Sequence, residues 1–524
     1  MQRRKFWFVL IAIVLSVCML FSFVGCEMSW LPDNWLSGDG NGNESNGIGD
    51  GENDNNDNEN NGDVENDNEN NGGGEDDESG ILGFEMPEGG FDTETPVEIT
   101  FYHNMGMQLR YALDSAIDRF NEIYPNITVK HEFIGGYDDI AAKINTDLKS
   151  GEQPNLAFCY SDHVPVYNQL NAVLSLDGFM PDGEYSDMTV TNAVYTEALG
   201  LTQAQADNYI HAFFAEGSVY GDEHTYTLPF AKSTEVLYYN KTFFNKHSDV
   251  LTAPDGNTTW EDIFETCKKI KKIDPRCTPL GIESESNLFI TLCEQYNSPY
   301  TSAIGEHYLF NNDTNKAFVK EFKDWHDAGL FTTTEINKAY VSNLFTTGMS
   351  YLSIGSTAGA QYYAPYPMGG NTDFEVGIVS IPQINPENRK HILQGPSLCI
   401  FKQDDPQEVL ASWLFAKFIT TDVEFQATYS MTSGYMPVIN SVLENDVYRS
   451  YLATKNGYTS GINALSVTVC IELFQTNAYY TSPAFVGSDK ARKEVGILMA
   501  ASLMGTKTIE DAFSDAITEC KNYA

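Results

Sequence analysis

The chain has 524 residues, 73 acidic and 31 basic, for a formal net charge of -42. That length suits two or three domains, and 42% hydrophobic residues with 13% aromatics can fill sizeable cores. So negative a chain repels phosphate backbones, which excludes nucleic acid as a partner.

The N-terminus reads as an export signal over residues 1–25. Arg3, Arg4 and Lys5 are basic, Phe6 to Phe23 are almost wholly apolar, and Phe23-Val24-Gly25-Cys26 closes the run. Gly25-Cys26 is similar to a bacterial lipobox, in which Cys26 is lipidated and becomes the new N-terminus. The alternative is an uncleaved anchor, since about 18 apolar residues just span a bilayer. Either way the rest lies outside the cytoplasm, held at the membrane.

Residues 26–95 are expected to form a disordered acidic linker. Within it, 37–80 is built almost entirely from Gly, Asn, Asp and Glu, with fifteen acidic residues and no basic one. It lacks the apolar surface to offset ordering entropy, and its charges extend it into a spacer. Alternating Asp and Asn raise a calcium reading, but no loop carries the closing glutamate at the required spacing. Gly38-Asp39-Gly40 has no strand or helix around it and is no dinucleotide site.

The folded body is expected from about Pro96. Strand, helix, strand, helix, strand patterns occupy 97–102, 109–120, 127–130, 137–149 and 156–160, followed by a helix over 166–176. This alternation predicts an α/β domain with a parallel sheet, whose ligands sit at the carboxyl ends of the strands. A second α/β region follows. It has a strand at 235–239, a threonine-capped helix from Thr258-Thr259 to Lys272, helices at 318–326 and 406–419, and a strand at 374–381. Cys18 lies inside the signal. The seven cysteines beyond Cys26 are scattered, with no CxxC pair, so neither a disulfide framework nor a zinc site is expected. A Cys267–Cys277 bridge is conceivable.

From about 97 to 520 the chain resembles family 1 extracellular solute-binding proteins, the receptors of ABC importers for carbohydrates and related polyols. The resemblance rests on several segments in order: Phe120 to Ile127, Ser150 to Leu156, Leu228-Pro229-Phe230 with Leu237 to Lys241, Thr259 to Asp262, Thr347 to Met349 with Gly355 to Thr357, and Gly434 to Val438. It implies a two-lobed, periplasmic-binding-protein-like α/β fold, with hinge crossovers and a ligand cleft. Lobe one would hold 96–235 plus 356–396, and lobe two 236–355 plus 397–524. It also implies a monomer that serves membrane permease subunits and an ATPase and carries no cofactor or metal.

A sugar cleft needs aromatic faces for the rings and polar side chains for the hydroxyls. After the first strand, His103 and Asn104 are candidates, His103 alternatively a surface-loop histidine. After the third come Tyr160 and Asp162. Asp162 either accepts sugar hydroxyl protons, as the resemblance implies, or caps the helix beginning at Val164. The resemblance also nominates Ser233 at the first crossover and Ser356 with Thr357 at the second. Tyr362 beside Tyr363 is either a stacking ring or core. Gly395 beside Gln394, at the third crossover, allows close backbone approach. Tyr435 matches a ligand-contacting tyrosine of relatives. Arg492 lies where some relatives place a ligand-binding arginine. Pointing inward it favours an anion; otherwise it is a solvated helix face. The glycerol-phosphate branch tends to carry a tryptophan where this chain reads Glu283 to Leu288, so a sugar is preferred over glycerol phosphate. No GxSxG, HExxH, SxxK or GxxxxGK[ST] is present, so a binding protein is expected rather than a glycan hydrolase.

Overall fold

Residues 84–95 already pack on the first lobe. Phe91 is buried edge-on to Tyr124, with centroids 6.2 Å apart, and Phe84 packs on Phe179 and Tyr185. Asp92 accepts from the backbone N–H groups of Glu94 and Thr95 and so fixes the turn before the first strand. Residues 84–95 are therefore not part of the linker expected to reach residue 95, because Phe84, Met86 and Phe91 supply apolar anchors that the acidic tract lacks. The structure, a computed structural model, describes residues 84–365, 374–474 and 478–523. The signal, Cys26 and most of the linker lie outside those residues.

β1 (Val97–His103), α1 (Met107–Ile123), β2 (Ile127–Phe133), α2 (Tyr137–Ser150) and β3 (Leu156–Cys159) follow the expected alternation. β1 lies between β2 and β3, parallel to both. α1 buries Leu113, Ala116 and Phe120. α2 begins where the Asp139 carboxylate accepts from Gly136 N–H at 2.7 Å, and ends where Gly151 takes φ 75°. The helix expected over 166–176 is shorter. A 3-10 turn, Ser161–His163, leads into Val164–Asn168, and Val173 then bridges to Phe401. The apolar residues there line a buried sheet edge, not a helix face.

A hairpin of β4 (Thr189–Thr191) and β5 (Thr196–Ala198) precedes β6 (Thr227–Pro229). The chain then crosses into the second sheet with β7 (Glu235–Asn240), α3 (Trp260–Ile273), β8 (Leu280–Ile282), α4 (Glu285–Gln295), α5 (Asp313–Asp327), β9 (Phe331–Thr333), β10 (Leu352–Ser356) and β11 (Val376–Ser380). α3 opens with a capping box, Asp262 N–H on Thr259 Oγ1 and Thr259 N–H on Asp262 Oδ2. The second sheet runs β11-β7-β10-β8-β9.

Two expectations about the lobes are corrected by strand register. Residues 356–396 were expected in lobe one, yet β11 pairs antiparallel with β7 in the second sheet. The chain after Ser356 does not cross. It turns through the 3-10 segment Thr357–Tyr363, whose Tyr363 stacks on Tyr238 at 3.9 Å. After β12 (His391–Ile392), β13 (Ser397–Ile400) returns to the first sheet, antiparallel to β3 and β6. That sheet, β2-β1-β3-β13-β6, is therefore mixed, not wholly parallel. α6 (Pro406–Thr421) and α7 (Val423–Ser433) bury Trp413, Phe415 and Phe425 in the first core, although 397–524 was expected in lobe two. α8 (Ile462–Phe474) lies partly against β11 and Tyr363. Past β14 (Tyr479–Tyr480), α9 (Ser488–Met504) and α10 (Ile509–Tyr523) complete the second core.

Crossing segments thus run near 230–234, 381–396 and 478–487. They lie side by side: Ser233 bridges Gln394, and β12 pairs parallel with β14. Cys267, Cys277 and the other five described cysteines are buried and free, so the conceivable bridge is not formed.

Candidate functional site

The turn after β3 meets the first half of α9 across the gap between the lobes. Arg492 Nε donates to Asp162 Oδ2 at 3.0 Å, and Nη1 donates to Asn287 Oδ1 at 3.1 Å. Asn287 Nδ2 in turn donates to Glu235 Oε1 at 3.0 Å. The relay joins the turn after β3, α9, α4 and β7, so it spans both lobes. The Arg492 side chain keeps 32% of its surface exposed, and among the described residues its Nη2 has no acceptor within hydrogen-bond distance.

Tyr160, Asp162, Asn287 and Arg492 wall a cavity of about 190 Å³, closed by Ser161 and Glu216 from lobe one and by Leu393, Gln394, Thr481 and Ser482 from the crossing segments. That is room for about six waters. Gln394 Oε1 and Ser482 Oγ are buried without a partner. An orphaned buried polar atom costs about 1–3 kcal/mol, so these two wall residues keep unused hydrogen-bonding capacity. Tyr160, on the cavity wall, packs on Tyr137 at 4.6 Å, and the Tyr137 and Tyr435 hydroxyls lie 3.5 Å apart. Burial pushes all three phenols up, which keeps them neutral.

The hinge adjoins this wall. Lys232 is fully buried, and its ammonium donates to Glu216, to the Gly395 carbonyl at 3.1 Å and to Ser397 Oγ at 2.8 Å. Glu216 also accepts from Ser161 Oγ at 3.3 Å, so the hinge counter-ion is itself part of the cavity wall.

Of the expected residues, Tyr160, Asp162 and Arg492 meet in the cavity, with Tyr435 next to Tyr160's partner. Asp162 caps nothing: the N-cap of the following helix is His163. Ser233 and Thr357 are buried in the hinge. Ser233 pairs with Gln394 through the backbone, and Thr357 Oγ1 accepts from Thr234 N–H. Ser356 Oγ donates to Ser233 Oγ at 3.3 Å and caps the 3-10 segment. Gly395 has φ 105°, and a Cβ there would collide with the Ala231 carbonyl, so its backbone approaches the first crossing segment, not the cavity. Tyr362 is 64% exposed.

His103 is neither a cleft nor a surface-loop residue. It is buried in lobe one, where Nδ1 accepts from Met105 N–H and Nε2 donates to His131. Burial, with His131 and Arg110, pushes it down to about 3, so it stays neutral with both nitrogens engaged. Asn104, half-buried beside it, does not line the cavity. The sequence reading missed Tyr137, Glu216, Asn287, Thr481 and Ser482 as cavity or near-cavity residues.

A family model for bacterial extracellular solute-binding proteins matches residues 115–456. The chain belongs to that family. The sn-glycerol-3-phosphate-binding periplasmic protein UgpB of Yersinia enterocolitica is 23% identical over 360 residues, covering 66% of this chain and 75% of that protein. UgpB from Mycobacterium tuberculosis in complex with glycerophosphocholine superposes with a TM-score of 0.64 at 17% identity, over 82% of this chain and 98% of that one. Maltose-bound MalE3 of T. maritima superposes at 0.61 and 14% identity, over 82% and 100%.

A solute-binding protein that closes by hinge motion needs a cavity walled from both lobes. A larger hollow of about 780 Å³, lined by residues such as Asp177, Met180, Asp207 and Phe214, has walls from lobe one alone, so lobe closure would not enclose it.

Proposed function

We propose that this solute-binding protein captures a sugar between its lobes and delivers it to the permease subunits and ATPase of an ABC importer. One observation carries this reading: a cavity walled from both lobes, lined by the ion pair Asp162–Arg492 and by Gln394 and Ser482, with the Tyr160–Tyr137–Tyr435 patch alongside. Asp162 accepts from sugar hydroxyls, Gln394 and Ser482 complete their hydrogen bonds on them, and the tyrosines cover the ring. The enclosed volume suits one sugar ring, either a monosaccharide or the end of an oligosaccharide. Ligand touching both lobes favours the shut form, which the importer reads.

Glycerol 3-phosphate or a polyol phosphate is the second reading. It is favoured by the open Nη2 edge of Arg492 and by the relatives that bind sn-glycerol 3-phosphate. Thermal melting with a panel of sugars and polyol phosphates separates the two. A true ligand at about a hundred times its Kd stabilises by about 2.7 kcal/mol. A melt moved by a phosphate ester and by no sugar reverses the ranking.

The protein works as a monomer tethered outside the cell through lipidated Cys26, with 27–83 as spacer. A tether plus a long spacer suits a cell without an outer membrane. Cys26→Ala should abolish lipid labelling in cells; labelling that survives the change rules this attachment out.

A further inference from the structure

Glu235, the first residue of β7, is almost fully buried. It meets the cavity only through Asn287, which accepts from Arg492 and donates to Glu235. The guanidinium therefore faces two carboxylates, Asp162 directly and Glu235 one amide behind. The neighbouring hinge cation, Lys232, is matched by Glu216. Of the groups named, Asp162, Glu216 and ionised Glu235 stand against Arg492 and Lys232, one carboxylate in excess. An anion entering beside Arg492 Nη2 meets that excess; an uncharged hydroxyl does not.

We propose that Glu235 is a specificity-determining residue of this cavity, a carboxylate held behind the guanidinium that bars anionic solutes and leaves neutral hydroxyl-bearing ones unaffected. The inference rests on reading this cavity as the solute site.

The groups around Glu235 make the bar switchable. Burial pushes its carboxyl up to about 7; the Asn287 hydrogen bond opposes this, the Glu283 charge adds to it and Arg492 opposes it. Glu283 is itself held by the Tyr363 hydroxyl at 3.0 Å and raised by burial. From β14, Tyr480 senses both Glu235 and Glu294, and its hydroxyl is spent on Thr291. Above about pH 7 Glu235 is charged and the bar is set; below it Glu235 is neutral and anions enter.

The test is calorimetric titration of the intact protein with inorganic sulfate, a dianion throughout, at about pH 5.5 and about pH 8.5. Wild type should bind sulfate about tenfold more tightly at the lower pH. Glu235→Gln keeps the acceptor for Asn287 and should bind sulfate equally at both, with the strength wild type shows in acid. Glu283→Gln should keep the contrast with its midpoint moved to lower pH, because loss of a like charge eases ionisation of Glu235. Melting curves verify the fold, with Glu235→Ser as a second neutral variant. The inference is overturned if a folded Glu235→Gln protein retains the contrast or binds no sulfate at either pH, or if wild type shows no contrast. Titration with maltose and with glucose separates the two ideas. A protein that follows these sulfate rules and binds no sugar keeps the role of Glu235 and loses the sugar reading. One that binds sugar without Glu235-dependent discrimination does the reverse.

Discussion

Lys232 and Glu216 form a buried ion pair at the point where the chain first leaves lobe one. All three ammonium hydrogens are used, on Glu216, Gly395 and Ser397, so the pair ties the first crossing segment to the second. Removing one partner of such a pair strands a charge, which costs about 3–5 kcal/mol. Lys232→Met should lose stability of that order in urea unfolding. Adding Glu216→Gln should restore part of it, because no charge is then left unpaired. Additive losses in the double-mutant cycle would mean that the two side chains act independently.

Arg492 and Asp162 are a different kind of pair, since they join the lobes and remain partly wet. Solvent screening makes their worth to folding small, about 1 kcal/mol or less. Their worth to ligand capture should be larger, because the pair shapes the cavity wall. Arg492→Met should therefore weaken binding of the best sugar by about tenfold or more, with little change in the ligand-free melting temperature. A large loss of stability with unchanged affinity would place the pair in folding instead. The neighbouring Lys493–Asp138 contact, 3.7 Å and largely exposed, should matter to neither.

The order of strands and helices from β1 to β3 was legible because period-two and helical spacings are local properties of the chain. Asp162 and Tyr160 followed from the rule that α/β sheets bind at strand ends. The lobe assignment was not legible. Val376–Ser380 and Ser397–Ile400 are equally apolar short strands, and only their long-range register decides which sheet each joins. His103 also sits at a strand end, yet it faces the core against Phe101 and Phe158; sequence position does not give that orientation. Asn287 and Ser482 carry no local motif and enter the site only because α4 and the last crossing segment converge on α9.

Glu235 should give the protein a measurable pH dependence of stability. Its folded value, about 7, lies above the ordinary glutamate value, so between about pH 4.5 and 7 the folded state holds a proton that the unfolded state has released. Stability from this group is therefore greatest in acid, falls as pH rises through that window and is flat above it. The loss reaches about 3 kcal/mol at most. Glu235→Gln should remove this slope and raise the melting temperature at alkaline pH. A variant as pH-sensitive as wild type would show that another carboxyl, with Glu283 the nearest candidate, carries the effect.

The N-terminal boundary of the folded body can be tested by truncation. Phe91 is buried against Tyr124, and Phe84 rests on Phe179 and Tyr185. Gln407 at the start of α6 accepts from Asp92 N–H and donates to the Gly90 carbonyl, so this segment also pins a helix distant in sequence. Burying a phenylalanine contributes about 1.5–3 kcal/mol. A chain beginning at Pro96 should thus be less stable than one beginning at residue 81 by about 3 kcal/mol, with hydrogen exchange quickened first at the α1 end and at the start of α6. Removing residues 37–80 should leave the melt unchanged, since that tract has too few apolar side chains to bury. Equal stability of the two truncated chains would mean that residues 84–95 rest on the lobe without holding it.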